Sequence, residues 1–114
     1  GEQVENIQAL IEELKTINLA HMNCLLTASL ALVLDDKEKS IALLHGVIED
    51  DEMPPGAPVD MVISARANLE ESGSSEREKW EAKAMAAVEE RAKLIERPAD
   101  RRRFLKARLG RLED

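Results

Sequence analysis

Apolar residues in the first third of the chain recur at alternating spacings of three and four positions. The series runs through Val4, Ile7, Ile11, Leu14, Asn18, His21, Leu25, Ala28 and Leu32, with two polar residues at its centre. Because an α-helix has about 3.6 residues per turn, this alternation places the whole series on one helical face. The pattern predicts one long helix over residues 2–34, about 50 Å long at roughly 1.5 Å per residue.

A second apolar stripe appears in the later part of this helix. It consists of Leu19, Met22, Leu26, Leu30 and Val33, and residues 19–34 contain no charged side chain. A helix that is apolar on several faces is buried in a protein core or lies in lipid. A membrane span needs about 20 apolar residues, and this shorter run includes His21 and Asn23. We therefore expect burial against protein and no membrane span.

The segments after the first helix are separated by residues that start or end helices. Asp35 and Glu38 have the spacing of a capping box for a second helix over residues 36–51. Residues 1–52 are then an antiparallel helical hairpin, and residues 53–58 are a Pro-rich loop that no helix can cross. Residues 58–97 hold two further helices, the first starting at Pro58 and the second capped by Ser75. Residues 98–114 form a basic C-terminal arm with a short helix capped by Asp100.

These elements predict an all-α protein, a bundle of four to five helices around the long apolar N-terminal helix. At 114 residues the chain is expected to form a single helical domain over residues 1–114. Its composition is rich in helix-forming residues, and only Trp80 and Phe104 are aromatic. On the fourth helix we expect Trp80, Val88 and Leu94 to point toward the core.

Charge and cysteine usage limit the environment and the partners. Residues 1–72 carry 14 acidic and 4 basic side chains, a balance of −10, and residues 73–114 carry 9 and 12, a balance of +3, which together give the net −7. Such asymmetry indicates self-association or a partner for one half. The single Cys24 excludes an internal disulfide and fits a reducing, cytoplasmic setting.

Catalytic and cofactor motifs are not found in the sequence. It has no glycine-rich phosphate loop, no zinc-type cysteine spacing and no serine nucleophile elbow. His21 with Cys24, and His45 with Glu49, have spacings that place two ligands on one helical face. In the predicted hairpin these two pairs lie at different levels, so they do not share one ion. We expect no enzyme activity, no cofactor and no metal site.

Two charged segments are candidate partner surfaces. The acidic one comprises Glu49, Asp50, Asp51, Glu52 and Asp60, and it suits a basic protein partner, as in an inhibitor or immunity-type protein. The basic one comprises Arg101, Arg102, Arg103, Arg108 and Arg111, and it suits the phosphates of a nucleic acid. The overall acidity of the chain makes nucleic-acid binding the weaker of these alternatives.

The sequence favours a non-catalytic protein–protein interaction module, a small regulatory or adaptor protein that acts as a homodimer. A helix as long as the first one cannot be covered by the shorter helices that follow it, so its second stripe is left exposed. We expect self-association through Leu19, Met22, Leu26, Leu30 and Val33, with Asn18 and His21 near the seam. A break of the helix near Asn18 is the alternative that would let the first part fold back.

Overall fold

A computed structural model describes residues 2–109 of the chain, and these residues form helices and connecting turns without any strand. The five helices are α1 (Glu2–Val33), α2 (Lys37–Ile48), α3 (Val59–Asn68), α4 (Ser75–Ala92) and α5 (Pro98–Leu109). The predicted all-α fold, with a long apolar N-terminal helix, is confirmed. α1 packs against α2 and α3, α3 packs against α4, and α4 against α5.

Polar caps define the starts of α2 and α4, each one residue away from the predicted position. The Asp36 carboxylate accepts hydrogen bonds from the backbone N–H groups of Glu38 and Lys39 at 3.0 and 3.2 Å. The Ser74 hydroxyl accepts one from the backbone N–H of Arg77. Asp36 and Ser74 have extended backbones, as N-cap residues require. Asp36 and Ser74 therefore replace Asp35 and Ser75, which we predicted as caps.

The predicted end of α4 and the predicted start of α5, which we placed after a cap at Asp100, were also wrong. α4 ends at Ala92 instead of residue 97, and the chain after it continues in tighter turns, in which the N–H groups of Leu94 and Ile95 donate to carbonyl oxygens three residues earlier. Pro98 is itself the first residue of α5, a position that suits a residue without an N–H. Consequently Leu94 lies outside α4 and is 55% exposed, which contradicts its predicted place in the core.

The core is built between α1, α2 and α3, and α1 contributes its small residues to it. The buried apolar cluster comprises Cys24, Ala28, Ala31, Leu44, Val47, Ala57, Val62 and Ala65. Small side chains on α1 let the axes of its neighbours approach closely, because the distance between helices depends on the side chains at the contact. Within a single copy of the chain, α1 is therefore buried on one side only. The expectation that it is buried on several faces was wrong.

The first half of α1 extends away from this core. Every residue from 2 to 18, the segment we call the projecting half, is exposed, and the helix continues through Asn18 without a break. The molecule is accordingly 58 Å long with a radius of gyration of 16.4 Å, against about 13 Å for a compact domain of this size. The alternative of a helix broken near Asn18 is thus not what the structure has.

Candidate functional site

The main exposed feature is the second apolar stripe of α1, which we call the α1 patch. Its members are Leu19, Met22, Leu26, Leu30 and Val33, and they are between 47% and 73% exposed. Asn18 and His21 are exposed on the same helix. Helix geometry explains the exposure: at about 100° per residue, the patch lies roughly opposite the buried Cys24 and Ala31. The helices that cover one side of α1 thus cannot reach the other.

A groove lies beside α1, between that helix and α3, α4 and α5. Its volume is about 530 Å³, and its apolar lining includes Leu25, Ala28, Leu32, Met61, Met85 and Leu109. The three α1 residues in this lining belong to the series that begins at Val4 and runs along the projecting half. The groove and the projecting half therefore share one stripe of α1, which is apolar on both sides of the polar Asn18 and His21.

An ion-pair cluster at the edge of the groove joins α3, α4 and α5. Asp60 is only 3% exposed, and its carboxylate binds the guanidinium of Arg91 and lies 3.8 Å from the Arg108 Nε atom. Arg91 also stacks on the Phe104 ring, 4.9 Å from its centroid. Asp60 is therefore not part of an acidic surface, contrary to our prediction, because its charge is neutralised inside the protein.

Trp80 is the centre of a second polar cluster, between α2, α3 and α4. The His45 and Trp80 rings are nearly perpendicular with their centroids 5.3 Å apart, and the Arg66 guanidinium lies 4.8 Å from the Trp80 centroid. His45 uses both ring nitrogens, since Nε2 accepts a hydrogen bond from Arg66 and Nδ1 lies 3.0 Å from a Glu49 oxygen. Across residues 2–109 no group of three potential ligands converges to hold a metal ion.

Glu70 links this cluster to the start of α2. Its carboxylate accepts hydrogen bonds from Arg66 at 2.5 Å and from Lys37 at 3.1 Å. The hydrogen bond from Arg66, followed by that from Lys37, lowers the pKa of Glu70. We did not predict this ion pair from the sequence, although the four-residue spacing of Arg66 and Glu70 was a signal for it.

The rest of the predicted acidic surface follows the end of α2. Glu49, Asp50, Asp51 and Glu52 are all exposed, and the backbone N–H of Glu52 donates to the Asp50 carboxylate at 2.9 Å. These four residues are consecutive in the chain, whereas the fifth member of the predicted set, Asp60, is buried elsewhere. The segment remains a candidate surface for a basic partner.

The predicted basic surface is partly engaged within the chain. Arg101 donates to the backbone oxygen of Ile95 at 2.7 Å, and Arg103 pairs with Asp100 at 3.0 Å. Arg108 is directed toward Asp60, as described above, and Arg102 is exposed. Arg111 lies outside the described residues. Arg101 and Arg108 thus connect α5 to neighbouring segments, whereas Arg102 and Arg103 remain exposed.

α1 also has the length and composition of a membrane-crossing helix. It is the one such helix among residues 2–109, and 22% of its most apolar window is buried inside the protein. Core helices of soluble proteins and signal sequences have the same length and hydropathy, so these two properties do not show that α1 enters a membrane.

Comparison of the chain with family models, with curated proteins and with solved structures finds no match.

Proposed function

We propose that this protein is a non-catalytic protein–protein interaction module, a small regulatory or adaptor protein that works as a homodimer assembled through α1. The observation that supports the proposal is that α1 buries its small side chains and exposes its large ones. Cys24, Ala28 and Ala31 are buried, while the five large side chains of the α1 patch are exposed. Contiguous exposed apolar surface of this kind marks interaction sites in soluble proteins, and two-fold dimers are the commonest oligomers.

The size of the α1 patch indicates how much of α1 must take part. Full burial of one aliphatic side chain contributes about 1.5–3 kcal/mol, and the patch residues are already partly covered. If each gains about 1 kcal/mol, ten side chains in a symmetric dimer contribute about 10 kcal/mol. Association costs an estimated 4–15 kcal/mol. The patch alone therefore supports only a weak dimer, and a stable one also requires the apolar residues of the projecting half.

Equilibrium sedimentation of a charged variant tests the proposal. Met22→Glu with Leu26→Glu places two carboxylates in the patch at positions that are 55% and 64% exposed, so the protomer is not disturbed. We expect the natural chain to sediment as a dimer at micromolar concentration and the variant as a monomer of unchanged helicity. Ala82→Glu with Ala86→Glu is the matched control, because both alanines are exposed on α4. A natural chain that is a folded monomer at high micromolar concentration contradicts the proposal.

A lipid bilayer is the competing cover for α1, and the packing of that helix argues against it. Cys24, Thr27, Ala28 and Ala31 lie against α2 and α3, and α2 begins with the charged Lys37. Insertion of α1 would have to separate it from these helices and open the core. Flotation with phosphatidylcholine–phosphatidylglycerol vesicles distinguishes lipid from a second copy. If the natural chain remains with the vesicles at high salt and the Met22→Glu, Leu26→Glu variant does not, the result favours lipid.

The acidic segment at the end of α2 supports a second candidate function, that of an inhibitor of a basic protein. Asp50 and Asp51 are exposed beside Glu49 and Glu52, and clustered charge chiefly accelerates association with a partner of opposite charge. Asp50→Lys with Asp51→Lys should slow association with a basic protein such as a cationic nuclease, with the fold unchanged. An association rate that does not change removes this segment from the binding surface.

A further inference from the structure

His45 is a titratable side chain at the junction of three helices. It lies in the last turn of α2, and its side chain is 25% exposed. It contacts Arg66 on α3 and Trp80 on α4. Histidine is the side chain whose charge ordinarily changes between pH 5 and 8. The contacts of its two ring nitrogens therefore determine what the gain of a proton does to this junction.

The contact of His45 with α3 requires a neutral ring. The Nε atom of Arg66 donates a hydrogen bond to Nε2 of His45 over 3.3 Å, so Nε2 is an acceptor and carries no proton. In a neutral imidazole the other nitrogen, Nδ1, then carries the proton. Nδ1 lies 3.0 Å from a carboxylate oxygen of Glu49, to which it donates. The neutral ring thus joins α3 to the end of α2.

A second proton on the ring removes one of these contacts and strengthens the other. A doubly protonated imidazole has a donor at each nitrogen and no acceptor. Its Nε2–H group would face the N–H group of Arg66 over the same 3.3 Å, with two positive charges in contact. Glu49 becomes an ion-pair partner of the ring, and the C-terminal end of α2 favours a cation. His45 therefore exchanges Arg66 for Glu49 when it gains the proton.

We propose that His45 is a pH-dependent switch, in which the neutral ring holds α2 against α3 and the protonated ring releases α3. At the first turn of α2, Lys37 donates to the Glu70 carboxylate at 3.1 Å, a contact that needs no histidine. The release is therefore confined to the last turns of α2, where the exposed acidic segment begins. The inference goes beyond the proposed homodimer and does not depend on it, because none of these residues lies on α1.

The groups around the ring keep their charge while His45 changes its own. The charged side chains that face the ring or the neighbouring Trp80 are Glu49 on α2, Arg66 and its partner Glu70 on the α3 side, and Lys79 and Lys83 on α4. Arginine and lysine side chains ordinarily stay charged from pH 5 to pH 8, and carboxylates ordinarily stay ionised. The hydrogen bond from Arg66 lowers the pKa of Glu70 further. A change at this cluster in that pH range therefore reports on His45.

Nitrogen NMR of the natural chain tests the switch without any substitution. The ring signals of His45 are identified by their proximity to Trp80, whose ring centroid lies 5.3 Å away. At pH 8 we expect Nδ1 to carry the proton and Nε2 to carry none. As the pH falls to 5, the Nε–H signal of Arg66 should shift with the same midpoint as the His45 ring. The Nε–H group of Arg101 donates to a backbone oxygen at 3.1 Å and is the internal control.

Two NMR results overturn the proposal. A neutral ring with its proton on Nε2 cannot accept from Arg66, so the linked state would not exist. An Arg66 signal that moves no more than that of Arg101 shows that the ring titrates without releasing α3.

Fluorescence provides a second test with a matched pair of variants. Trp80 is the only tryptophan in the chain, so its emission reports on the junction alone. We expect the emission to change between pH 8 and pH 5, and His45→Gln to reduce that change at least fivefold, because the glutamine amide accepts from Arg66 at either pH. Asp51→Asn alters an exposed carboxylate and should retain the full change. An equal change in the natural chain and in His45→Gln overturns the switch.

Discussion

Replacement of Asp60 by Asn tests the buried ion pair that joins α3 to α4 and α5. The substitution keeps the shape of the side chain and removes the negative charge that Arg91 and Arg108 face. Loss of one partner from a fully buried ion pair costs about 3–5 kcal/mol, because the other charge is left without compensation. Arg91 is 17% exposed and Arg108 is 34% exposed, so water can partly solvate both. We therefore expect Asp60→Asn to lower the free energy of unfolding by about 2–3 kcal/mol.

Urea unfolding followed by circular dichroism measures this loss as a lower midpoint with an unchanged dependence on urea concentration. Because dimerisation adds to apparent stability, the proteins with Asp60 and with Asp60→Asn are compared in the Met22→Glu, Leu26→Glu background. Asp51→Asn, which changes an exposed carboxylate, is the control and should stay within about 0.5 kcal/mol. If Asp60→Asn costs no more than that control, Asp60 is solvated and the description of a buried cluster is wrong.

Three further predictions concern the core and its edge. Leu44→Ala removes a side chain that is 0% exposed and should cost about 3 kcal/mol in the same urea assay; a cost below 1 kcal/mol would show a loosely packed core. Burial raises the pKa of the Cys24 thiol, so a disulfide reagent at pH 8 should label it at least about 100-fold faster in urea than in the folded protein; rapid labelling of the folded protein would contradict its burial. Arg66 and Lys37 lower the pKa of Glu70 below its ordinary value of 4.5. The ionised carboxylate therefore stabilises the fold at pH values above 4.5, and this stabilisation disappears as the pH falls through the lower pKa of the folded protein. The Glu70→Gln variant should therefore lose less stability than the natural chain when the pH is lowered. If the free energy of unfolding depends on pH identically in the two proteins, this carboxylate has no such role.

Local sequence determined which segments form helices, but it did not determine all of their limits. The alternation of three and four positions predicted α1 in one piece, and the prolines of residues 53–58 predicted the break before α3. Caps were one residue off because neighbouring polar residues, such as Asp35 and Asp36 or Ser74 and Ser75, are equivalent in sequence. Which of two such residues has the extended backbone of a cap is decided only when the preceding segment is placed.

The sequence could not show which side of α1 faces the core. Residues 19–34 are apolar on several faces, so periodicity gives no preferred direction there. The structure buries Cys24, Ala28 and Ala31, because small side chains let α2 and α3 pack closely against this side. Because this side is buried, the larger residues of the α1 patch are exposed on the other side. They form the surface on which the proposed dimer depends.

Asp60 shows most clearly what only the tertiary structure decides. In sequence it resembles Asp50 and Asp51, and nothing local separates a solvated carboxylate from a buried one. Its partner Arg91 is 31 residues away along the chain and meets it only after α3 and α4 have packed together. The sequence determined the helices through short-range spacing, whereas the tertiary structure decided which charges pair and which apolar faces stay exposed, because both depend on contacts between residues distant in the chain.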